Sequence, residues 1–315
     1  MMHEEKPPRG PIEPGQLPLV KAPDTIWNSV LASLKEERPP ARAGFRWWQF
    51  ATAFSLVIGV AVLWYSTRPK PASWEVVRLD GAPSVGSKRV AETGRIAVGE
   101  WLQTDASSRA RVSIGEIGTV EVEPNSRIRL IAAKPNEHRL SLARGEISAV
   151  VSAPPRLFFV DTPASTAIDL GCAYKMKTDE SGSGLLSVTA GWVALERNGR
   201  ESLVPAGASC RTKSGAGPGT PYFGDASEAL QQALTAFDFE KGGSEALRVV
   251  LRESRVRDTL TLWHLLSRVD LDERVRIFDR VVGLTPLPQG ISREKALDLD
   301  KDTLQHWRQE LAWKW

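Results

Sequence analysis

The sequence predicts an all-β roll or solenoid-like domain that follows a single transmembrane helix and precedes a small all-α C-terminal domain. Three observations predict this fold class: an uncharged apolar segment near the N-terminus, alternating apolar and polar residues in the middle of the chain, and a helical period after residue 224. The 315 residues, 42% of them hydrophobic, are enough to form real cores. The 41 basic and 38 acidic residues leave a net charge of only +3, so no nucleic-acid partner is indicated.

Residues 1–46 are expected to be a disordered, proline-rich cytoplasmic segment with one short amphipathic helix. The helix is predicted within PDTIWNSVLASLKEER, where Asp24 can act as the N-cap. Its apolar residues form one stripe: Ile26, Trp27, Val30, Leu31 and Leu34. The sequence leaves two alternatives open. The helix either frays or lies on the membrane surface, or the stripe is a docking face for a cytoplasmic partner.

Residues 47–66, WWQFATAFSLVIGVAVLWYS, are predicted to form the transmembrane helix. This segment has no charged residue, and at about 1.5 Å per residue it would span roughly 30 Å, the thickness of the hydrocarbon core. Both ends of the segment carry aromatic residues, which would lie at the two membrane interfaces: Trp47, Trp48, Trp64 and Tyr65. Because a long segment precedes it and no small-residue cleavage site follows, we expect an uncleaved anchor.

The charges that flank this segment indicate its orientation. More basic residues precede it than follow it, namely Lys35, Arg38, Arg42 and Arg46 against Arg68, Lys70 and Arg78. Basic residues favour the cytoplasmic side, so the N-terminus is expected in the cytoplasm and the bulk of the chain outside it.

Residues 67–213 are predicted to form the β domain. Runs such as RARVSI, TVEVE, RIRLI and RLSLA alternate strictly and are separated by turn residues, which is typical of half-buried strands. Ten to twelve strands are expected. Gly99, Gly145 and Gly191 recur every 46 residues between such runs, where a turn with positive φ is expected. Stacked hairpins, solenoid coils or ordinary hairpin turns would all produce this repeat.

Residues 214–224, SGAGPGTPYFG, are predicted to be a Gly/Pro linker, and residues 225–315 a helical domain. Three to five short helices are expected there. The last helix is predicted from Asp302, as its N-cap, to Trp313.

Nothing in the sequence indicates an enzyme, a metal site or a cofactor. The four histidines lie far apart and in no ligand spacing: His3, His138, His264 and His306. No nucleophile elbow or phosphate-binding loop is present. We therefore expect no catalytic, metal or cofactor-binding residue.

The two cysteines of the chain, Cys172 and Cys210, both fall in the predicted β domain. In an oxidising compartment they would form a disulfide if their strands are adjacent. Buried free thiols are the alternative, and an active thiol has no nearby histidine to support it. We expect the disulfide, which also favours placing this domain outside the cytoplasm.

The β region resembles the periplasmic domain of FecR-like proteins, which are transmembrane sensors and anti-sigma regulators. The resemblance is carried by VGEWLQTDASSRARVSIGEIGTVEVEPNSRIRLI, LSLARGEISAVV, FFVDTPASTAIDLGCAY, LSVTAGWVAL and LVPAGASC. It implies a β roll without an enzyme site that passes a signal inward. It also implies a single-pass protein of the bacterial inner membrane, with the β domain in the periplasm.

Two functional hypotheses follow. In the first, the chain is a signalling protein whose periplasmic domain senses or docks an outer-membrane receptor or envelope protein, while the Ile26–Leu34 face contacts an ECF-type sigma factor. In the second, the chain is a membrane-anchored envelope-binding or scaffold module without sigma-factor control.

Overall fold

The structure is a computed structural model that describes residues 72–315 together with Asn28. The predicted N-terminal docking face, the predicted transmembrane helix at 47–66 and its aromatic flanks therefore lie outside the described residues. Asn28, within the predicted amphipathic helix, is helical and exposed. Across the described part of the chain, every helix is too short or too polar to span a bilayer.

A mostly β region is followed by a small helical region. Eighteen strands are described: β1 Ser73–Asp80, β2 Ser84–Val85, β3 Lys88–Arg89, β4 Thr93–Ala97, β5 Trp101–Gln103, β6 Arg109–Ile114, β7 Gly118–Val122, β8 Arg127–Lys134, β9 Glu137–Val151, β10 Phe158–Asp161, β11 Thr166–Asp169, β12 Ala173–Thr178, β13 Gly184–Ala190, β14 Trp192–Arg197, β15 Arg200–Pro205, β16 Ala208–Lys213, β17 Gly217–Pro218 and β18 Tyr222–Phe223. Several are only two residues long, which is why period-two counting found fewer.

The helices begin after β18. They are α1 Glu228–Phe239, α2 Gly243–Glu253, α3 Thr259–Leu266, α4 Leu271–Leu284, α5 Arg293–Leu297 and α6 Lys301–Ala312, with a 3₁₀ turn at Val256–Asp258 before α3. The carboxylate of Asp300 caps α6 by accepting from the Thr303 amide at 2.9 Å, so the predicted cap Asp302 lies inside the first turn.

The strands form two sheets that share β9. In sheet A the order is β4-β1-β6-β7-β9-β12-β13-β16, with β17 and β18 beyond β16. In sheet B the order is β3-β2-β5-β8-β9-β10-β11-β14-β15. All pairs are antiparallel except β9 with β10. The first half of β9 pairs in sheet B and the second half in sheet A.

The three repeated glycines lie where the chain passes from one sheet to the other. Gly99 separates β4 from β5, Gly191 separates β13 from β14, and Gly145 lies inside β9 between its two halves. Their φ angles are +94°, +70° and +95°, which confirms the expected positive φ. A Cβ on Gly145 would come within 2.3 Å of the Ser126 Cα, so this corner also needs a residue without a side chain.

The interior of the β region is formed by the inward-facing residues of both sheets, which are fully buried. They include Val76, Val112, Val120 and Ile147 from sheet A, and Leu102, Ile128, Leu130, Leu140 and Val160 from sheet B. Burying such aliphatic side chains contributes about 1.5–3 kcal/mol each and is the main source of stability.

The predicted linker at 214–224 is wrong. Gly217–Pro218 and Tyr222–Phe223 pair with β16, and residues 217–223 are buried. One of its glycines has a packing reason, because a Cβ on Gly219 would meet the Phe239 ring at 2.8 Å. Within residues 72–315, the strands and the helices therefore belong to one compact unit.

Candidate functional site

A groove of about 610 Å³ opens on sheet B near the β14–β15 hairpin. The residues that line it are Arg139, Arg156, Phe159, Thr166, Ile168, Glu196, Arg197, Asn198, Gly199, Arg200 and Glu201. They come from β9, β10, β11, β14 and β15 and from the turn that holds Arg156, so the groove depends on the order of strands in sheet B. Its volume lies in the range of small-ligand sites.

Strand register places most of the lining in two cross-strand rows. Arg139 lies opposite Phe159, which lies opposite Ile168, and the Arg139 guanidinium stacks 4.4 Å above the Phe159 ring. The second row contains Asp161, Thr166, Glu196 and Glu201. Arg139 and Thr166 both donate to Asp161 at 2.8 Å. The rows thus combine an apolar surface with fixed polar groups.

The β14–β15 hairpin forms one end of the groove. Asn198 and Gly199 both have positive φ, at 51° and 79°, as a tight two-residue hairpin turn requires. This turn places Arg197 directly opposite Arg200. The Arg200 guanidinium bonds Asp238 at 2.6 Å, whereas none of the ion pairs within residues 72–315 includes Arg197.

Behind the hairpin, the helical region covers β15, which is the last strand of sheet B. An edge strand exposes unpaired backbone groups, and here side chains from α3 and the residues after it satisfy them. The Leu203 amide donates to His264 Nε2 at 3.0 Å, and Arg268 donates to the Glu201 carbonyl at 3.1 Å. The helices therefore act as a cap that closes this edge.

A buried ionic network joins the cap to the sheet. The Asp238 carboxylate, whose side chain is 2% exposed, accepts from Arg200, from Arg268 and from the Thr220 amide. Arg268 also donates to the hydroxyls of Thr220 and Ser202, each at 2.8 Å. Burial lowers the pKa of Arg268 to about 10, although the charge of Asp238 opposes this shift. Arg268 nevertheless remains charged at neutral pH.

His264 is buried in the same interface and is held neutral. Its Nε2 accepts from Leu203, so the ring proton is on Nδ1, which donates to the Leu260 carbonyl at 2.9 Å. Burial, together with the positive charges of Arg268 and Arg308, lowers the pKa of His264 to about 3. This histidine is a structural hydrogen-bonding residue at the cap interface.

Cys172 lies in the crossing from β11 in sheet B to β12 in sheet A. Its thiol donates to Asp169 Oδ2 at 2.6 Å, and the Gly171 amide donates to Oδ1 at 2.7 Å. Burial raises the pKa of both the Cys172 thiol and the Asp169 carboxyl. A high thiol pKa removes the thiolate that nucleophilic or redox chemistry would need, so the geometry favours a structural role.

The predicted disulfide between Cys172 and Cys210 is wrong, because both thiols are free and buried in the structure. Cys210 pairs with Leu186, which pairs with Met176, so two strand spacings and four residues separate the cysteines. This corresponds to about 15 Å, far beyond the roughly 7 Å between Cα atoms that a disulfide tolerates. Burial raises the pKa of Cys210 to about 12.

We expect the two cysteines to be protected thiols. In the folded chain, maleimide labelling without reductant should modify neither, because both are buried and held as thiols. After unfolding without reductant both should react, and the mass shift on a gel should be the same with and without prior reduction. Labelling that requires reductant would contradict the geometry, and Cys172→Ser and Cys210→Ser variants assign each shift.

Comparison with protein families identifies part of the chain. Residues 100–194 match the family described as FecR protein. These residues are a FecR-like region. It runs from just before β5 into β14 and contains Arg139, Arg156 and Cys172. The FecR-like region ends before the Asn198–Gly199 turn, so β15 and the helical cap lie outside the match.

Two crystal structures of a candidate anti-sigma factor from Parabacteroides distasonis are also similar to the chain. Their sequence identities are 17% and 16%, and both have a TM-score of 0.35. The similarity covers 44% and 42% of this chain and 63% and 62% of the solved chains, which is less than two thirds of their length. No curated protein matches the sequence.

The arginine-lined groove and the ionic network were not predicted from the sequence. Arg139, Arg156 and Arg197 are far apart in the sequence, and all three line the groove only because β9, β10, β11 and β14 are consecutive strands of sheet B. The one local signal was the Asn198–Gly199 pair, which is typical of a two-residue hairpin. The sequence did draw attention to the two cysteines, but neither sheet brings them close together.

Proposed function

We propose that this chain is a single-pass membrane signalling protein that uses its FecR-like region as an extracytoplasmic sensor and controls an ECF-type sigma factor. The observation that carries the proposal is the family match over residues 100–194. The apolar segment 47–66 and its charged flanks support a membrane anchor with the N-terminus in the cytoplasm of a bacterium and the bulk in the periplasm.

In this mechanism the cytoplasmic contact is made by the stripe Ile26, Trp27, Val30, Leu31 and Leu34. An amphipathic helix that lays its apolar face into a groove of a partner is a common recognition mode. The β region would receive the external signal from an outer-membrane receptor or another envelope protein. No catalytic step is part of this proposal.

The test is affinity purification of the tagged full chain in mild detergent, followed by mass spectrometry of the proteins that bind it. Recovery of a sigma factor with the full chain, and its loss when Val30 and Leu34 are both replaced by aspartate, would support the proposal. A matched variant, Ser29→Asp and Ser33→Asp, adds the same charge beside the stripe and should retain the sigma factor.

Absence of any sigma factor from the full-chain sample would overturn sigma-factor control. If the chain then still binds an envelope protein after deletion of residues 1–44, the second hypothesis holds, and the chain is a membrane-anchored binding or scaffold module.

A further inference from the structure

The start of β1 marks one end of sheet A, called here the entry end because the chain enters the sheet at this point. Strand register places a continuous row of residues across the entry end: Glu75, Ser113, Thr119, Val150, Ala173 and Ala190. The strand β4 also ends here, because Ala97 lies opposite Ser73. The entry end is therefore one line along which most strands of sheet A begin or end.

Exposed apolar side chains are concentrated along this line. Of the six large hydrophobic side chains that are exposed within residues 72–315, two lie at the entry end of sheet A itself. Val98, one residue after β4, is 44% exposed, and Val150, next to the last residue of β9, is 59% exposed. An exposed valine is ordinary by itself, but several apolar side chains along one line indicate a contact surface.

A third exposed apolar side chain, Trp313, lies close to the same end. Trp313 directly follows α6 and is 87% exposed, the largest fraction among the six. Two residues later, the ring of Trp315 lies 6.0 Å from the ring of Trp192. Trp192 begins β14 directly after Gly191, where the chain leaves β13 at the entry end. The C-terminal tryptophans therefore extend the apolar surface beyond β13.

The surface is long rather than compact. Four strand spacings separate β4 from β9 in sheet A, and two more separate β9 from β13. At about 4.8 Å for each spacing, the line from Val98 to Gly191 extends roughly 30 Å. Glu75 is the one charged residue in the cross-strand row, so the expected contact is apolar rather than ionic. An extended and flat apolar partner fits these dimensions.

The length of chain before β1 indicates which partner this is. Residues 67–72 join the predicted transmembrane segment 47–66 to Ser73. Fully extended, such a connection spans at most roughly 25 Å. If the segment spans the bilayer, the entry end must therefore lie close to the lipid surface. Tryptophan is the residue that most favours this interface, which suits the exposure of Trp313.

We propose that the entry end of sheet A lies against the bilayer in which the chain is anchored, with Val98, Val150 and Trp313 in the lipid headgroup region. This inference rests on the membrane anchor proposed above, but not on sigma-factor binding. It deepens that proposal by orienting the sensor. The opposite end of sheet A, where Gly145 pairs with Thr178, would face away from the membrane and be open to an envelope partner.

The test uses the full chain reconstituted into phosphatidylethanolamine/phosphatidylglycerol vesicles, with a fluorescent NBD label on one introduced cysteine at a time. Because Cys172 and Cys210 are buried, brief labelling of the folded chain modifies only the introduced thiol. The probe variants are Val98→Cys, Val150→Cys and Trp313→Cys. The controls are Ile131→Cys and Leu271→Cys, two other exposed apolar positions.

Lipid that carries a nitroxide in its headgroup quenches a label lying near the membrane surface. An interfacial apolar surface lies roughly 5–10 Å into the headgroup boundary, so we expect quenching at the three probe positions at least about twofold stronger than at the two controls. With the label at position 98, replacing Val150 and Trp313 by aspartate should reduce quenching. Replacing Ile131 and Leu271 by aspartate is the matched control and should not change it.

A separate label in the predicted span, at Ser55→Cys, distinguishes failure of this inference from failure of the anchor. Quenching of that label by lipid with an acyl-chain nitroxide supports the anchor. If it is quenched while the three probes behave like the controls, the anchor stands and the proposed orientation is overturned. If it is not quenched, the membrane anchor is contradicted, and the orientation that rests on it is overturned as well.

Discussion

Replacement of Asp238 by alanine is expected to lower the free energy of unfolding by about 3–5 kcal/mol. The reason is that the Asp238 carboxylate is the shared acceptor at the cap interface. It accepts hydrogen bonds from Arg200, from Arg268 and from the Thr220 amide. Without it, the buried Arg268 keeps its charge but loses the carboxylate that balances it. Urea unfolding followed by tryptophan fluorescence measures the loss.

Asp279→Ala is the matched control for this experiment. Asp279 also pairs with an arginine, Arg293 at 2.9 Å, but its side chain is 60% exposed. Exposed pairs contribute about 0–1 kcal/mol, so this variant should be close to the unmodified chain. Equal losses for Asp238→Ala and Asp279→Ala would contradict the role assigned to the network. In a double variant, Asp238→Leu with Arg268→Met, part of the stability should return, because the buried charge of Arg268 is removed together with its partner.

Acidification is expected to destabilise the fold through His264. The pKa of this side chain is near 6.5 in the unfolded chain and about 3 in the folded one. Between these values only the unfolded state takes up the proton. The contribution of His264 is therefore complete above pH 6.5 and decreases by about 1.4 kcal/mol per unit as the pH falls toward 3. From pH 6.5 to pH 5 this amounts to about 2 kcal/mol.

The measurement is the free energy of unfolding at pH 7, 6 and 5 for the unmodified chain and for His264→Gln. Glutamine does not titrate, and its carbonyl oxygen would replace Nε2 as the acceptor for the Leu203 amide. We expect a shallower pH dependence in this variant, whereas His306→Gln, at an exposed position on α6, should follow the unmodified chain. Parallel curves for all three proteins would show that His264 is not the acid-sensitive group.

Both predictions concern the cap, which joins the helices to the last strands of sheet B. The cap satisfies backbone groups of β15 that would otherwise be open to a further strand. It also anchors Arg200, and so fixes the hairpin that forms one end of the groove. Substitution of Asp238 or His264 should therefore also loosen the hairpin at this end of the groove.

Features that depend on residues close together in the chain could be predicted from the sequence alone. Alternation in runs such as RARVSI predicted strands, a helical period after residue 224 predicted helices, and the recurring glycines predicted positive φ at positions 99, 145 and 191. The FecR-like motifs likewise lie within continuous stretches. Each of these properties is set by local backbone geometry and by which side of an element is apolar.

Which strands become neighbours is set by the packing of the whole chain, and the predicted disulfide and the predicted linker both failed for this reason. The predicted disulfide required the strands near Cys172 and Cys210 to be adjacent, but β13 lies between β12 and β16. The linker was predicted because glycine and proline are common in exposed segments, whereas residues 217–223 are buried, and Gly217–Pro218 and Tyr222–Phe223 pair with β16. Pairing between distant strands depends on the packing of the whole chain, so the groove and the ionic network exist only once the two sheets and the cap have assembled.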